Sequence, residues 1–413
     1  MFGTHRRGNA RREEDAVPNP TRAFAPKASG IREILDLVLT SASEIDRLEI
    51  GEPGFAAPPH VAEAAAVAAR GDVRYTQSSG TLALRSALVD SLAVRYGTEI
   101  DPGRIVVSQG GSQGIAAVFE ALVQPGDEVL LPDPAWPNYE SMTRIRGAEP
   151  VRYPLHPETG FVPDPEEVLV LIGPRTRIVV LNSPGNPTGA VLPRAVVRRI
   201  VEGAAERGVM VVSDEVYDEI IFEGEPAGAL EFGDNVVSVF SFSKTYAMTG
   251  WRVGYLVMPA WLATLVGHMQ EALISCVSSV NQAAALAALT GPQDAVATMR
   301  AAYRDRRDLA LTLLAEADIR PLRPSGAFYL MVPLSPGVSS RDAALELVGR
   351  GVSFAPGSAF GSVASDQLRM SLASTPATIE RGLGRFLDWY GESQGGLTTR
   401  SPLTTLTERD HGR

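Results

Sequence analysis

The chain has 413 residues and a formal net charge of -10, with 45% apolar and 21% charged residues; this length calls for two or three domains or subdomains, and the composition is that of an ordinary soluble globular protein with room for an enclosed site. The acidic balance, with no sustained basic stripe to offset it, argues against nucleic acid as a main partner. A single cysteine, Cys276, excludes an internal disulfide or a thiolate metal cluster and suggests a reducing, cytoplasmic setting, and five scattered histidines offer neither zinc-ligand spacing nor a His-centred dyad.

Residues 1–20 open with "MFGTHRRGNARREED", paired arginines with no apolar stretch behind them, and read as a flexible charged extension rather than a secretion signal. No apolar run approaches the roughly 20 residues of a membrane span. Within 21–50, "SGIREILDLVLTSA" is helical and is expected to pack with the C-terminal part as one smaller domain. From "RIVVSQGG" onward short β-branched runs alternate with helical stretches: "RIVVS", a helix over 111–123, "DEVLLP", "TRIVVLN", a helix around "RAVVRRIVEGAAERG", "VMVVSDE", "VVSVFSFS" and "WRVGYLVM". Strands apolar on both faces and separated by helices predict an α/β domain over 51–290, built on a largely parallel sheet covered on both sides. After about residue 290 come a long helix "AVATMRAAYRDRRDLALTLLAEA", a strand "GAFYLMVPL", a helix "RDAALELVGRG", strands "VSFAPG" and "QLRMSLA", and a closing helix. This predicts a smaller α+β domain over 291–392. The polar tail 393–413 is expected to be flexible. There is no internal repeat.

In open parallel sheets, ligands bind outside the carboxyl ends of the strands. Gly110, Gly111 and Ser112 follow the first of these strands and open a helix, which makes either an anion site or a plain tight turn. Asp133 ends the next strand about where a dinucleotide-binding fold carries its ribose acid, although the G-G-x-x-G spacing differs from that fold's fingerprint. "NSPGNPTG" crowds Asn182, Asn186 and Thr188 around two prolines at another strand end, as a rigid polar rim. Asp214 comes after four apolar residues and Ser213 and is either a helix cap or a carboxylate facing a buried cation; Tyr217 can share its pocket. Lys244, in "SFSKTYAMTGWR", is one of only two lysines, with Lys27, in a chain holding 38 basic residues. Near a strand end a lysine can be desolvated and so freed as a nucleophile or base, which a guanidinium cannot.

A lysine for a Schiff base, an aspartate for a ring nitrogen, a tyrosine for a phenolic oxygen, and glycines, serines and an arginine for a phosphate together specify pyridoxal phosphate. At this point the sequence resembles the fold-type I aminotransferases of class I/II, the aspartate-aminotransferase-like superfamily. The resemblance runs from about "SGIREIL" to "LGRFLDWY" and rests on "IGEPGF", "YTQSSGTLALR", "GGSQ", "DPAWPNY", "NSPGNPTG", "SDEVY", "SFSKTYAMTGWRVGY", "PGSAFG" and "LRMSLA", in the family's order. It implies a large domain with a mostly parallel seven-stranded sheet between helices, a smaller α+β domain, and transfer of an amino group from an L-amino acid to a 2-oxo acid. Lys244 would anchor the cofactor and then move the proton at the substrate Cα, Asp214 would keep the ring nitrogen protonated, and Tyr217 and Asn186 would bond near its phenolic oxygen. Trp136 would stack on the ring, and Gly110, Gly111, Ser112, Ser241, Ser243 and Arg252 would hold the phosphate. Arg369 would grip the substrate carboxylate with help from Gly51 and Asn186, and Tyr75 would reach the phosphate of a second subunit, making the protein a homodimer.

The same cofactor cage also serves lyases, decarboxylases and synthases, and its residues do not separate these from transamination. "ALISCVSSVNQAAALAAL" has no arginine where dicarboxylate-specific relatives carry a second carboxylate clamp, which disfavours a strict aspartate enzyme. Ile31 and Ile34 of the first helix either line the side-chain pocket or pack in the core. A ligand-sensing regulator would need a DNA-binding module that the leading residues are too few and too polar to form. A nicotinamide-dependent dehydrogenase would give Lys244 no role.

Overall fold

The computed structural model describes residues 29–225 and 227–393, so the flexible ends expected over 1–20 and in most of 393–413 lie outside the described residues. Twelve strands are described: β1 (Asp46–Arg47), β2 (Ile105–Ser108), β3 (Glu128–Asp133), β4 (Glu149–Pro154), β5 (Thr176–Asn182), β6 (Met210–Asp214), β7 (Val236–Ser241), β8 (Gly254–Val257), β9 (Tyr329–Pro333), β10 (Val352–Ser353), β11 (Ala355–Pro356) and β12 (Gln367–Ser371). Seven of them form one sheet in the order β2-β8-β7-β6-β5-β3-β4, parallel except for β8, which runs against both of its neighbours. This is the α/β architecture expected, a mostly parallel seven-stranded sheet.

The continuous apolar runs are explained by burial on two faces. Val180, Val212 and Val239 enter one core cluster, while Val179, Val211 and Val236 enter another across the sheet. Alternate residues of a strand point to opposite faces, so a strand covered on both sides needs apolar residues at every position. β4 did not show this pattern, since "EPVRYP" carries two prolines and an arginine. It is the edge strand, where a missing backbone N–H costs no ladder bond.

A three-stranded antiparallel sheet in the order β11-β12-β9 lies in the C-terminal part, and β1 pairs with β10. "VSFAPG", expected as one strand, is therefore two short ones: Val352–Ser353 joins the N-terminal segment and Ala355–Pro356 joins β12, with buried Phe354 between them. The first helix, Gly30–Thr40, packs on the helix Ser340–Gly349. Asp46 accepts from Arg381 Nη2 at 2.6 Å and Arg385 Nη1 at 2.5 Å, which ties β1 to the closing helix Pro376–Ser393.

The reversed direction of β8 has a direct consequence for the site. In the register, Gly254 lies opposite both Ser108 and Ser241, so β8 starts at the edge where β2 and β7 end. Arg252 is thereby delivered to the carboxyl edge beside the helix Gly110–Leu122. The approach is close enough that a Cβ on Gly254 would meet Phe240 O at 2.7 Å, Gly110 C at 2.8 Å and Gly111 N at 2.9 Å, all of them backbone atoms. Gly254→Ala is expected to lower the unfolding free energy by about 1–3 kcal/mol. Gly384→Ala, in the closing helix with nothing within 4 Å of its Cβ position, should raise it by about 0.5–1 kcal/mol. Urea midpoints measure both, and equal effects would refute the packing account.

Candidate active site

Outside the carboxyl edge lies a cavity of about 350 Å³ lined from the large sheet, the first helix and the C-terminal sheet. Its wall includes Gly51, Gly111, Ser112, Trp136, Asn186, Asp214, Tyr217, Ser241, Ser243, Lys244, Arg252 and Arg369, so residues spread over more than three hundred positions of sequence meet in one place. Gly110 is buried at the start of the helix that Gly111 and Ser112 continue. Tyr75 is 87% exposed and is not part of this wall. Ile31 and Ile34 divide the roles proposed for them: Ile31 lines the cavity, while Ile34 is fully buried in the core.

Asp214 ends β6 with its side chain buried. Burial pushes its carboxyl up to about 6, and bonds from the Tyr139 hydroxyl (2.5 Å) and the Val216 N–H (3.3 Å) offset part of that. A buried carboxylate this poor in partners favours a cation placed against it. Tyr139 is a residue the sequence reading missed. It stands three positions after Trp136 in "DPAWPNY", and the two rings meet edge to face at 5.3 Å.

Lys244 follows β7 on a short helical turn whose N-cap, Ser241, accepts from the Ser243 N–H at 3.2 Å. Its Nζ donates to Gly51 O at 2.5 Å and lies 5.7 Å from the Phe328 ring centroid. Burial pulls the ammonium down to about 8, with Arg369 and Arg252 acting in the same direction and Glu52 and Asp214 against it. The amine therefore gives up its proton far more readily than an ordinary lysine does, as a nucleophile requires.

The anion end is built from backbone and guanidinium. Arg252 sits in the left-handed region at φ 52° and donates from Nη1 to Thr249 O at 2.7 Å. Its Nη2 would lie 2.6 Å from a Cβ on Gly110. The bare backbone of the helix N-terminus thus opens beside a fixed positive charge, a phosphate-sized cradle with Ser112 and Ser241 on its rim.

Arg369, on β12, closes the opposite end. It is 2% exposed, with its guanidinium against the rings of Tyr329 at 4.4 Å and Phe360 at 4.8 Å. Nη1 donates to Asn186 Oδ1 at 3.0 Å and Nη2 to Glu49 O at 2.5 Å, while the buried Nε has no partner. A buried donor left unpaired is costly unless a ligand satisfies it, and a carboxylate does so. Tyr329, also missed from sequence, bonds its hydroxyl to that of Tyr217 at 2.7 Å. A free amine, a buried carboxylate, a phenol and an anion cradle match the aldehyde, ring nitrogen, phenolic oxygen and phosphate of pyridoxal phosphate, so these residues fit the cofactor.

Asp133 does not face this cavity as a ribose acid. Its carboxylate accepts from the Ser362 N–H and hydroxyl and from the Val363 N–H.

The model of the family "Aminotransferase class I and II" matches residues 44–386. The aspartate/prephenate aminotransferase of Thermus thermophilus is 36% identical over 94% of this chain and its own full length, and the arginine–pyruvate transaminase of Pseudomonas aeruginosa is 38% identical over 80% of this chain and 86% of its own. Among solved structures, the aspartate aminotransferase from Thermus thermophilus with maleate superimposes with a TM-score of 0.84 at 36% identity, covering 88% of this chain and 97% of that one. The chain is a member of the class I and II aminotransferases, pyridoxal-phosphate-dependent transferases that act on amino acids and 2-oxo acids.

Proposed function

We propose that transamination takes place in this cavity with Lys244 as the proton carrier, Asp214 and Tyr217 as the groups that tune the cofactor, and Arg369 as the carboxylate grip. The observation that carries this reading is the pairing of an amine lowered to about 8 with a buried carboxylate raised to about 6 in one cavity. Bound pyridoxal phosphate supplies an electron sink for the charge left on the substrate Cα. The rest is the work of side chains. Lys244 first offers a neutral amine as nucleophile, then takes and returns the Cα proton. Asp214, held by Tyr139, keeps a positive ring nitrogen in place, and Tyr217 donates to the phenolic oxygen with Asn186 nearby. Trp136 covers the ring. Gly110, Gly111, Ser112, Ser241, Ser243 and Arg252 bind the phosphate, and Gly51 and Asn186 assist Arg369. The family's other chemistries, a lyase, decarboxylase or synthase, are not favoured, because the relatives named above are transaminases.

The donor class follows from charge. The cations lining the cavity are Lys244, Arg252 and Arg369, and each already has a task. Glu52 stands at the same wall, where it accepts from Thr249 at 2.5 Å. A second carboxylate on the donor would meet no free cation among the described residues of the wall, so neutral side chains fit better, lying toward Ile31, Ile50 and Val216.

An exposed Tyr75 on a fixed segment supports a homodimer. Thr76 is held through its N–H by Cys276 Sγ at 3.4 Å and through its hydroxyl by Gln282 at 3.0 Å, so Tyr75 projects from a stiff mount and can reach the phosphate site of a second copy. The single cysteine, Cys276, supports a cytoplasmic location.

The first expected outcome is that Lys244→Ala and Lys244→Arg each lower kcat by at least about 10³-fold and abolish the visible absorption of the covalently held cofactor; turnover within tenfold of the parent would sink the mechanism. The second concerns pH. Only the neutral amine attacks, so cofactor-free protein mixed with pyridoxal phosphate should develop the visible band faster as pH rises, with half the maximal rate near the lowered value of about 8. A midpoint at the ordinary lysine value would contradict the desolvation account. The third uses a panel of donors against pyruvate, 2-oxoglutarate and oxaloacetate, with kcat/KM about tenfold or more higher for neutral side chains than for aspartate. Release of ammonia or carbon dioxide in place of amino transfer would overturn the assignment.

A further inference from the structure

Asp133 was singled out by its place at a strand end, and no step above uses it. It is 3% exposed, and its two oxygens receive three donors from one segment of the C-terminal part: Ser362 N–H at 3.1 Å, Ser362 Oγ at 2.7 Å and Val363 N–H at 3.3 Å. A fourth bond runs alongside, from the Ala135 N–H to Phe360 O at 2.9 Å. The approach is so tight that a Cβ on Gly361, at φ 149°, would fall 1.8 Å from Asp133 Oδ1, so this position requires glycine.

The segment gripped in this way carries Phe360. That ring is 1% exposed and packs against the Arg369 guanidinium at 4.8 Å, and Tyr329 packs against the same guanidinium at 4.4 Å. The chain that follows Asp133 carries Trp136, on the cavity wall. One carboxylate therefore clips the loop bearing the ring-covering tryptophan to the loop bearing the phenylalanine that walls Arg369. The two loops belong to different sheets.

We propose that Asp133 is a positioning residue for substrate recognition: through Ser362 and Val363 it holds Phe360 against Arg369 and so fixes the guanidinium, with its unpartnered Nε, at the distance from the ring stack that an amino acid's carboxylate must span. Asp133 touches no reacting atom. Hydrogen bonds accepted by a buried carboxylate are among the stronger ones available to a protein, and here three donors, two backbone N–H groups and one hydroxyl, come from one short loop. Guanidinium recognition of a carboxylate depends on orientation as well as charge, so releasing one wall loosens the grip without removing it. The inference rests on the assignment of Arg369 as the carboxylate grip.

The test uses the holoenzyme, the best amino donor from the panel above, and 3-phenylpropionate, an apolar monocarboxylate with no amino group to react. Asp133→Ala should raise the KM for the donor about tenfold and weaken 3-phenylpropionate, measured by calorimetry, in the same proportion. Its kcat should fall less than about threefold, and the visible band of the cofactor should stay in place. Ser362→Ala alters an exposed residue, leaves the two backbone donors, and should show about threefold in the same direction; it carries the test by itself if Asp133→Ala does not fold. In a Phe360→Leu background, Ser362→Ala should change KM by less than about twofold, since the wall it acts through has gone. A folded Asp133→Ala or Ser362→Ala enzyme with parental KM and parental 3-phenylpropionate affinity overturns the proposal, as do effects fully additive with Phe360→Leu or a loss confined to kcat and the visible band. Arg369→Gln separates the two ideas. Parental KM in that variant sinks the grip itself, whereas a KM at least a hundredfold higher, with both clip variants normal, sinks the clip alone.

Discussion

The Lys244 amine sits where burial and two guanidinium groups, those of Arg252 and Arg369, all disfavour its charged form, while Glu52 and Asp214 oppose them. The net lowering, from 10.5 to about 8, corresponds to about 3 kcal/mol against the ammonium. Three cations in a cavity of about 350 Å³ would be unfavourable if all stayed charged. The chain resolves this by making only one of them an amine, because a guanidinium cannot yield its proton under ordinary conditions. Nearly every other basic position is arginine. In the proposed mechanism the choice of lysine here turns an electrostatic cost into a readily deprotonated nucleophile, and the two arginines remain fixed charges for a phosphate and a carboxylate.

That division of labour depends on strand direction. Six strands run the same way and deliver their carboxyl ends to one edge, with Ser108, Asp214 and Ser241 among them, but parallel order alone supplies no chain entering from outside at that edge. β8, antiparallel to both neighbours, begins there and brings Arg252 with it. The arginine's left-handed backbone at φ 52° costs on the order of 1–3 kcal/mol. It is maintained because Gly254 and Gly110 let the two backbones close to near contact and leave the guanidinium one place to go.

Much of this was legible from sequence, for identifiable reasons. Strands buried on both faces announce themselves as β-branched runs, and Lys244 stood out because lysine is otherwise almost absent. Asp214 was visible as an acid just past an apolar run and Ser213, although sequence left open whether it capped a helix or faced a cation. Tyr139, Tyr329 and Phe360 were not visible as site residues, because a buried aromatic looks the same whether it fills a core or touches a carboxylate or a guanidinium. Their roles come from contacts such as Tyr217 with Tyr329, 112 positions apart. Asp133 shows the same limit from the other side. Its place at a strand end was read correctly, but its partner lies 229 positions later, and nothing local distinguishes a ribose acid from a clip. The edge strand β4 and the split of "VSFAPG" escaped because proline and charge at an edge, and a change of sheet within six residues, leave no period to count.

In the proposed mechanism the substrate's two ends are handled by different sheets, and this sets a demand on the interface between them. Lys244 and Asp214 are rooted in β7 and β6, whose neighbours on either side fix them within the large sheet. Arg369 is rooted in β12 of the antiparallel sheet, reached by backbone contacts at Glu49 and by Asn186 from the large-sheet side. An error of about 1 Å between these frames is enough to cost a large factor in rate. Asn186 alone cannot set the distance, since a single amide bond leaves the guanidinium free to pivot. Tyr329 ties the guanidinium to Tyr217, and hence to the segment that follows Asp214, while Phe360 ties it through the Asp133 contact to the loop of Trp136. In the proposed mechanism both rings against the carboxylate grip are thereby referred back to the chain segments that line the cavity, which would let two separate sheets act on one small molecule as a single rigid template.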